Sequence, residues 1–351
     1  MTSSDLLILV IIVIGSAITA VLITVAGSSL IQAHRVQIEP LLGDARLTIV
    51  AALSGSEQLP AMGAFAGSGR LARRYITEVM LDLAPSITGT SRSILVSLGE
   101  DIGVLSRARA GVLSRRWSVR LYSARVLTAF GVESDQLGKL FADRSPEVRA
   151  QAAAWSVASP STPSIRQLID LLDDADGLCR FSAQDALIRI GLRASEALMD
   201  ALGTATGDMT VRLLEVAAAT GDDRFYQPAL AFTSDPSPAT RASAAAVLSN
   251  IGNPNAGPRL VLLLGDPSEA VVMAAAKGIA KLAYWPAAAD IEVILSHPSW
   301  EVRKQAGLTL LALGAPGAIL LSVTAPGEGS AAEMATQALQ LRSLSVQSGA
   351  I

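Results

Sequence analysis

The sequence predicts an all-α chain: one N-terminal transmembrane helix, then an α-solenoid of about eight helix-pair repeats. Three observations predict it. Of 351 residues 50% are hydrophobic but only 4% aromatic, so the apolar content is the small, straight-chain kind that packs helix on helix. The twenty residues from Leu6 to Val25 carry no charge. An Arg followed by an Ala-rich apolar run returns about every 31 residues over much of the remaining chain.

After a short tail, 1–5, the transmembrane helix spans 6–26. At about 1.5 Å per residue its apolar stretch reaches across a hydrocarbon core of about 30 Å. A cleaved signal peptide needs a basic n-region, and no Lys or Arg precedes Arg35. Arg35 and Arg46 follow the stretch, so the positive-inside rule makes this a single-pass cell-membrane protein with its body on the cytoplasmic side. Residues 27–101 are helical in pattern (ARRYITEVMLDLA from Ala72, SRSILVSLG from Ser91) with loops at Gly55, Ser56, Gly67, Ser68 and Gly69. They lack the repeat's Arg and Gly columns and form a juxtamembrane spacer or cap.

The solenoid is expected over 102–344, with a tail at 345–351. Its anchor positions are Arg120, Arg149, Arg180, Arg212, Arg241, Val272, Arg303 and Met334, at gaps of 29, 31, 32, 29, 31, 31 and 31 residues. Six residues before an anchor stands an acid: Asp143, Asp174, Asp235, Asp266 and Glu328. Such an acid in a turn can cap the next helix, and Pro236, Pro267 and Pro298 follow where a missing N–H costs nothing. Each first helix then runs to a glycine stop, Gly131, Gly191, Gly221, Gly252 or Gly314. Short apolar second helices follow, such as Pro163 to Asp174 and Ala256 to Asp266. One pair cannot bury its own apolar faces, so neighbours must stack. Arg of one unit and the turn acid of the next are then expected to form a structural ladder.

Charge divides the chain. Residues 1–132 carry 12 Arg and 8 acids, residues 133–351 carry 16 bases and 23 acids, and Arg outnumbers Lys 24 to 4. Residues 102–132 hold Arg107, Arg109, Arg115, Arg116, Arg120 and Arg125 with no acid, a cluster able to meet anionic lipid or an acidic partner; Arg120 is also a ladder anchor. Nucleic acid is the poorer match, because the repeats after Glu133 are net acidic with scattered Trp155, Trp285 and Trp300. The chemistry of catalysis and cofactors is missing from the pattern. The single Cys179 excludes an internal disulfide and a cysteine zinc cluster, and His34 and His297 are far apart. Asp173–Gly177 fails as a calcium loop, with Leu172 and Ala183 at the ligand positions. Gly67–Ala72 matches a loose dinucleotide fingerprint without the surrounding strands. No catalytic residue, metal ligand or cofactor is expected.

The recurring segments SPEVRAQAAA, SPATRASAAAVLSNIG and PSWEVRKQAGLTLLALG resemble HEAT repeats of the short bacterial type, also seen in the phycobilin-lyase-like group. The segment SRRWSVRLYSARVLTAFG, Ser114 to Gly131, behind an anchor and a helical spacer, resembles bacterial membrane-anchored HEAT proteins associated with membrane glycosyltransferases. That resemblance implies a non-catalytic scaffold binding a protein partner at the cytoplasmic membrane face, with an envelope polysaccharide glycosyltransferase as the partner. The alternatives within the repeat type are a nucleic-acid-binding protein or DNA glycosylase, or a chromophore-lyase-like protein.

Overall fold

The computed structural model describes residues 70–132, 136–158 and 160–347, with Arg46, Ile49 and Val50 before them. The expected transmembrane stretch, Leu6 to Val25, lies outside the described residues. Among the described residues no helix is long and apolar enough to cross a membrane, and there is no strand. The chain separates into two compact units, divided between residues 134 and 135, inside the span that the period marks as repeats.

The first unit contains α1 (Arg70–Leu83), α2 (Gly89–Asp101), α3 (Val104–Gly111) and α4 (Trp117–Phe130). Met80, Leu95, Leu105, Leu127 and Phe130 close its core. A Cβ on Gly111 would lie 2.1 Å from Ser123 Oγ, so the absence of a side chain there sets how closely α3 approaches α4.

The second unit alternates longer and shorter helices. The longer ones are α6 (Pro146–Ser156), α8 (Gly177–Ile190), α10 (Asp208–Thr220), α12 (Pro238–Ile251), α14 (Glu269–Lys281), α16 (Trp300–Ala312) and α18 (Ser330–Gln347). Between and before them lie α5 (Leu137–Phe141), α7 (Thr162–Leu171), α9 (Ser195–Leu202), α11 (Tyr226–Phe232), α13 (Gly257–Leu263), α15 (Ala288–Val293) and α17 (Ala315–Thr324). Alanines at the recurring inward positions, among them Ala152, Ala183, Ala217, Ala244, Ala275 and Ala306, are wholly buried. With no side chain beyond Cβ they let each long helix lie close to the next, and Leu168, Leu198, Leu260 and Ile291 of the short helices fill the layer behind. At the last pair the approach is tighter: a Cβ on Gly317 would meet the Leu310 carbonyl oxygen at 1.9 Å.

The five expected glycine stops all have positive φ, between 61° and 78°. The same column contains Ala283, which ends α14 at φ 49°, a left-handed conformation that costs an L-residue with a Cβ about 1 kcal/mol or more. The turns correct one detail of the capping expectation. The N-cap residues are Ser145, Asp176, Ser237, Ser268 and Ser299, and the column acid stands two residues earlier, accepting the N-cap backbone N–H. Asp143 accepts from Ser145 at 2.9 Å, Asp174 from Asp176 at 2.8 Å, Asp235 from Ser237 at 2.8 Å and Asp266 from Ser268 at 2.9 Å. His297 does the same through Nδ1, 3.1 Å from the Ser299 N.

Candidate functional site

The ladder is built from these turns. Four residues after each of these N-caps except Ser268, where Val272 stands, an Arg folds back, and its Nη1 donates to the two carbonyls that precede the N-cap. Arg149 reaches Asp143 O and Arg144 O, Arg180 reaches Asp174 O and Ala175 O, Arg241 reaches Asp235 O and Pro236 O, and Arg303 reaches His297 O and Pro298 O. In the first unit Arg120 makes the same local bonds to Ser114 O and Arg115 O. The bonds satisfy turn carbonyls and fix the guanidinium plane, which in Arg149 and Arg241 leaves Nε and Nη2 for the next pair.

The rungs of Arg149 and Arg241 are complete. Arg149 Nε and Nη2 donate to Asp174 Oδ2 and Oδ1 at 2.8 and 2.7 Å, and Arg241 donates likewise to Asp266 at 2.7 and 2.8 Å. The four side chains are 8–17% exposed, so these bidentate pairs work where solvent screening is weak. The facing guanidinium holds the carboxyls of Asp174 and Asp266 below the usual range, against the opposing effect of burial.

Arg212 does not stand in the ladder. Its helix begins at the N-cap Gly207, which puts Val211, not Arg212, four residues on. From that shifted position Arg212 reaches back to Leu172 O at 2.9 Å and Asp173 Oδ1 at 2.8 Å. The uneven gaps of 32 and 29 residues around Arg212 are the sequence trace of this shift. Two further rungs lack a carboxylate among the described residues. Twenty-five residues after Arg149 and Arg241 stand Asp174 and Asp266, but 25 after Arg180 stands Ala205. Twenty-five after Arg303 is Glu328, which is exposed while the Nε of Arg303 is buried without a partner. Another carboxylate of this unit, Asp222, serves a different turn: Arg224 donates to it from Nε and Nη2 and holds its pKa down at about 2.

The arginine cluster of the first unit divides. Arg109 is taken up by a bidentate pair with Glu100 at 2.6 and 3.1 Å, so an acid just outside the acid-free span supplies what that span lacks. Arg107 donates to Ile102 O at 3.0 Å and lines a cleft of about 880 Å³ with Arg74, Thr77, Val119, Tyr122 and Val126. Burial, and then the charge of Glu78, push the Tyr122 hydroxyl above its ordinary value. Arg115, Arg116 and Arg125 are exposed.

Cys179 is fully buried, its thiol 3.3 Å from Pro146 O and raised by burial, the opposite of what a nucleophile needs. Among the described residues no group of His, Cys, Asp or Glu is placed to hold a metal.

What the repeat pattern did not single out is a set of large apolar side chains left in solvent. On α8 and just after it Leu178, Phe181 and Leu192 are 50%, 69% and 62% exposed. Trp300 of α16 is 52% exposed with Lys304 Nζ 5.0 Å from its ring centre. The legible signal was Phe181 itself, which follows its ladder Arg where Ala150 and Ala242 follow theirs.

Comparison with known proteins agrees with this architecture. Residues 226–291 match the family described as HEAT repeats. A chain in the structure of Kap95p with RanGDP is similar over 85% of this chain and 53% of its own length, at 11% identity and a TM-score of 0.51. The complex of CpcE and CpcF of phycocyanin lyase from Nostoc sp. is 20% identical over 67% of this chain and 93% of the matched one, with a TM-score of 0.33. An engineered protein is 17% identical over 85% and 94%, with a TM-score of 0.38. No curated protein matches the chain in sequence. The chain carries HEAT repeats at 226–291 and shares the all-helical stacked-pair fold of the HEAT-type solenoids it resembles.

Proposed function

We propose that this chain is a non-catalytic HEAT-type scaffold that binds a protein partner at the cytoplasmic face of a membrane, anchored by the stretch Leu6 to Val25. The observation that carries the binding reading is the set of exposed large side chains on the stacked helices, Phe181 and Trp300 among them at 69% and 52% exposure. Isolated apolar residues are ordinary on a surface, but aromatic side chains set beside arginines are the usual anchors of protein interfaces. Protein binding also suits the fold, since stacked repeats present a long continuous surface.

The finer version of the proposal makes the partner an envelope polysaccharide glycosyltransferase, on the resemblance carried by Ser114 to Gly131. The anchor rests on the charge-free stretch, with Arg115, Arg116 and Arg125 available to anionic headgroups or an acidic loop.

Purification of the full chain from gently solubilised membranes tests both levels. The scaffold reading expects a stoichiometric protein companion, and its finer version expects that companion to be a glycosyltransferase. Purification without any companion overturns the scaffold. Release of the full chain by a carbonate wash removes the anchor, which otherwise should be lost only when residues 1–30 are deleted.

A further inference from the structure

We infer that the vacant rung at Arg180, together with Phe181 and Leu178, is a docking site for a partner segment that presents an Asp or Glu carboxylate beside an apolar side chain. The inference rests on the scaffold reading and names the chemistry of the partner.

Three features coincide on α8 and at its junction with α10. First, these helices pack against each other far less extensively than α6 with α8 or α10 with α12. Second, the ladder is interrupted there. Arg180 Nη1 is fixed on Asp174 O at 2.7 Å and Ala175 O at 3.0 Å, as in the complete rungs, while its Nε and Nη2 have no partner among the described residues. Third, α8 leaves Phe181, the residue after Arg180, 69% exposed, and Leu178, one turn before Phe181, 50% exposed. Arg149 and Arg241, whose rungs are complete, have Ala150 and Ala242 in the place of Phe181.

The complete rungs act as templates for the occupant. In each, a carboxylate receives Nε and Nη2 at 2.7–2.8 Å, a geometry that a guanidinium fork offers to planar anions and an ammonium does not. The position that supplies it elsewhere is Ala205 here, two residues before the N-cap Gly207. A methyl group leaves the fork open for an acid from outside. The charged groups nearby are mixed: Asp176 caps α8, Asp185 pairs with Arg189, and Arg212 is already bound to Asp173. The fork itself, not a general basic field, therefore selects the carboxylate, and Phe181 and Leu178 select an apolar neighbour. The same coincidence recurs at Arg303, whose buried Nε lacks a partner and whose helix exposes Trp300.

Ala205→Asp separates this site from the fold, because it supplies the missing carboxylate in cis, as Asp174 and Asp266 do for their rungs. The test is fluorescence anisotropy of the full chain with a labelled Ser-Leu-Asp-Phe-Ser peptide and its Asn counterpart. Saturable binding of the Asp peptide is expected, weakened about tenfold or more in the Asn peptide, as loss of a charge-assisted pair implies. Ala205→Asp should abolish binding while keeping the wild-type melting temperature or raising it, and Phe181→Ser should weaken binding by a similar factor. Arg180→Gln is the second variant, should Ala205→Asp unfold. No saturable binding, equal binding of the Asn peptide, or full binding by Ala205→Asp overturns the site. Self-association of the chain that Phe181→Ser abolishes also overturns it, assigning the surface to a second copy. If a membrane partner co-purifies equally with wild type and Ala205→Asp, the scaffold stands and this docking site falls.

Discussion

The junction of α12 with α14 and the junction of α8 with α10 begin from the same turn. In both, an Arg four residues after the N-cap closes its own turn through Nη1. At the first, Asp266 then takes the rest of Arg241 and ties one pair to the next. At the second, Ala205 takes nothing from Arg180, the helices pack less extensively, and Phe181 stays in solvent. The ladder arginine thus has two separable tasks. Closing the turn is local and common to both junctions, whereas joining neighbours depends on one carboxylate 25 residues away.

Removing that carboxylate is the largest test of the contrast. Asp266→Ala strands a nearly buried guanidinium and the Ser268 N–H, and should cost about 2–4 kcal/mol in urea unfolding. Arg180→Met, at the vacant rung, should cost about 1 kcal/mol, the value of its turn bonds. Equal costs would break the distinction between tying and turn-closing.

Acid offers a second test. Asp222 has a folded pKa of about 2 against an ordinary 3.8, and Asp174 and Asp266 are also lowered. A depressed folded pKa contributes stability that is present above the unfolded value and is lost as pH falls through the folded one. Stability should therefore decline between about pH 4 and pH 2, with Asp222 contributing about 1–2 kcal/mol after allowance for its half-exposed Arg224 partner. Asp222→Asn should flatten part of that decline in acid titrations of the melting temperature. An unchanged profile would show that its pairing with Arg224 contributes little.

Two smaller effects sharpen the picture. Ala205→Asp should raise stability by about 1 kcal/mol by completing the vacant rung, read as a higher urea midpoint. A lower midpoint would mean that Arg180 is not placed as Arg149 and Arg241 are. Ala283→Gly should raise it by about 0.5 kcal/mol, since relief of the left-handed Cβ outweighs the extra chain entropy of glycine. The end of α12, which already has Gly252 at φ 78°, is the internal control.

Much of this was legible in one dimension. The 31-residue spacing gave the helix pairs, because a unit that cannot bury its own face must repeat with its neighbour's geometry. The glycine column gave the helix ends, because left-handed φ excludes most other residues. Ala at the inward positions gave the stacking. The ladder pairs Arg149–Asp174 and Arg241–Asp266 were readable as columns for the same reason. Two details were not legible without the folded chain. Arg212 looked like an anchor, and only the N-cap at Gly207 shows it one position beyond the rung. Arg109 looked like part of an unpaired basic cluster, and only folding brings Glu100 to it.

Sequence alone determined the helical-repeat class of fold, the period and most helix ends, since these follow from short-range sterics and from the need of each pair to cover its apolar face. Only the tertiary structure decided which arginines are consumed and which are not. A rung closes when a carboxylate 25 residues away lands within about 3 Å of a guanidinium, and an offset of one residue along a helix, about 100° around its axis, turns it elsewhere. For the same reason the exposure of Phe181 was not readable from its type: an aromatic residue on a helix is buried or left in solvent according to what packs beside it, and Phe181 is left in solvent.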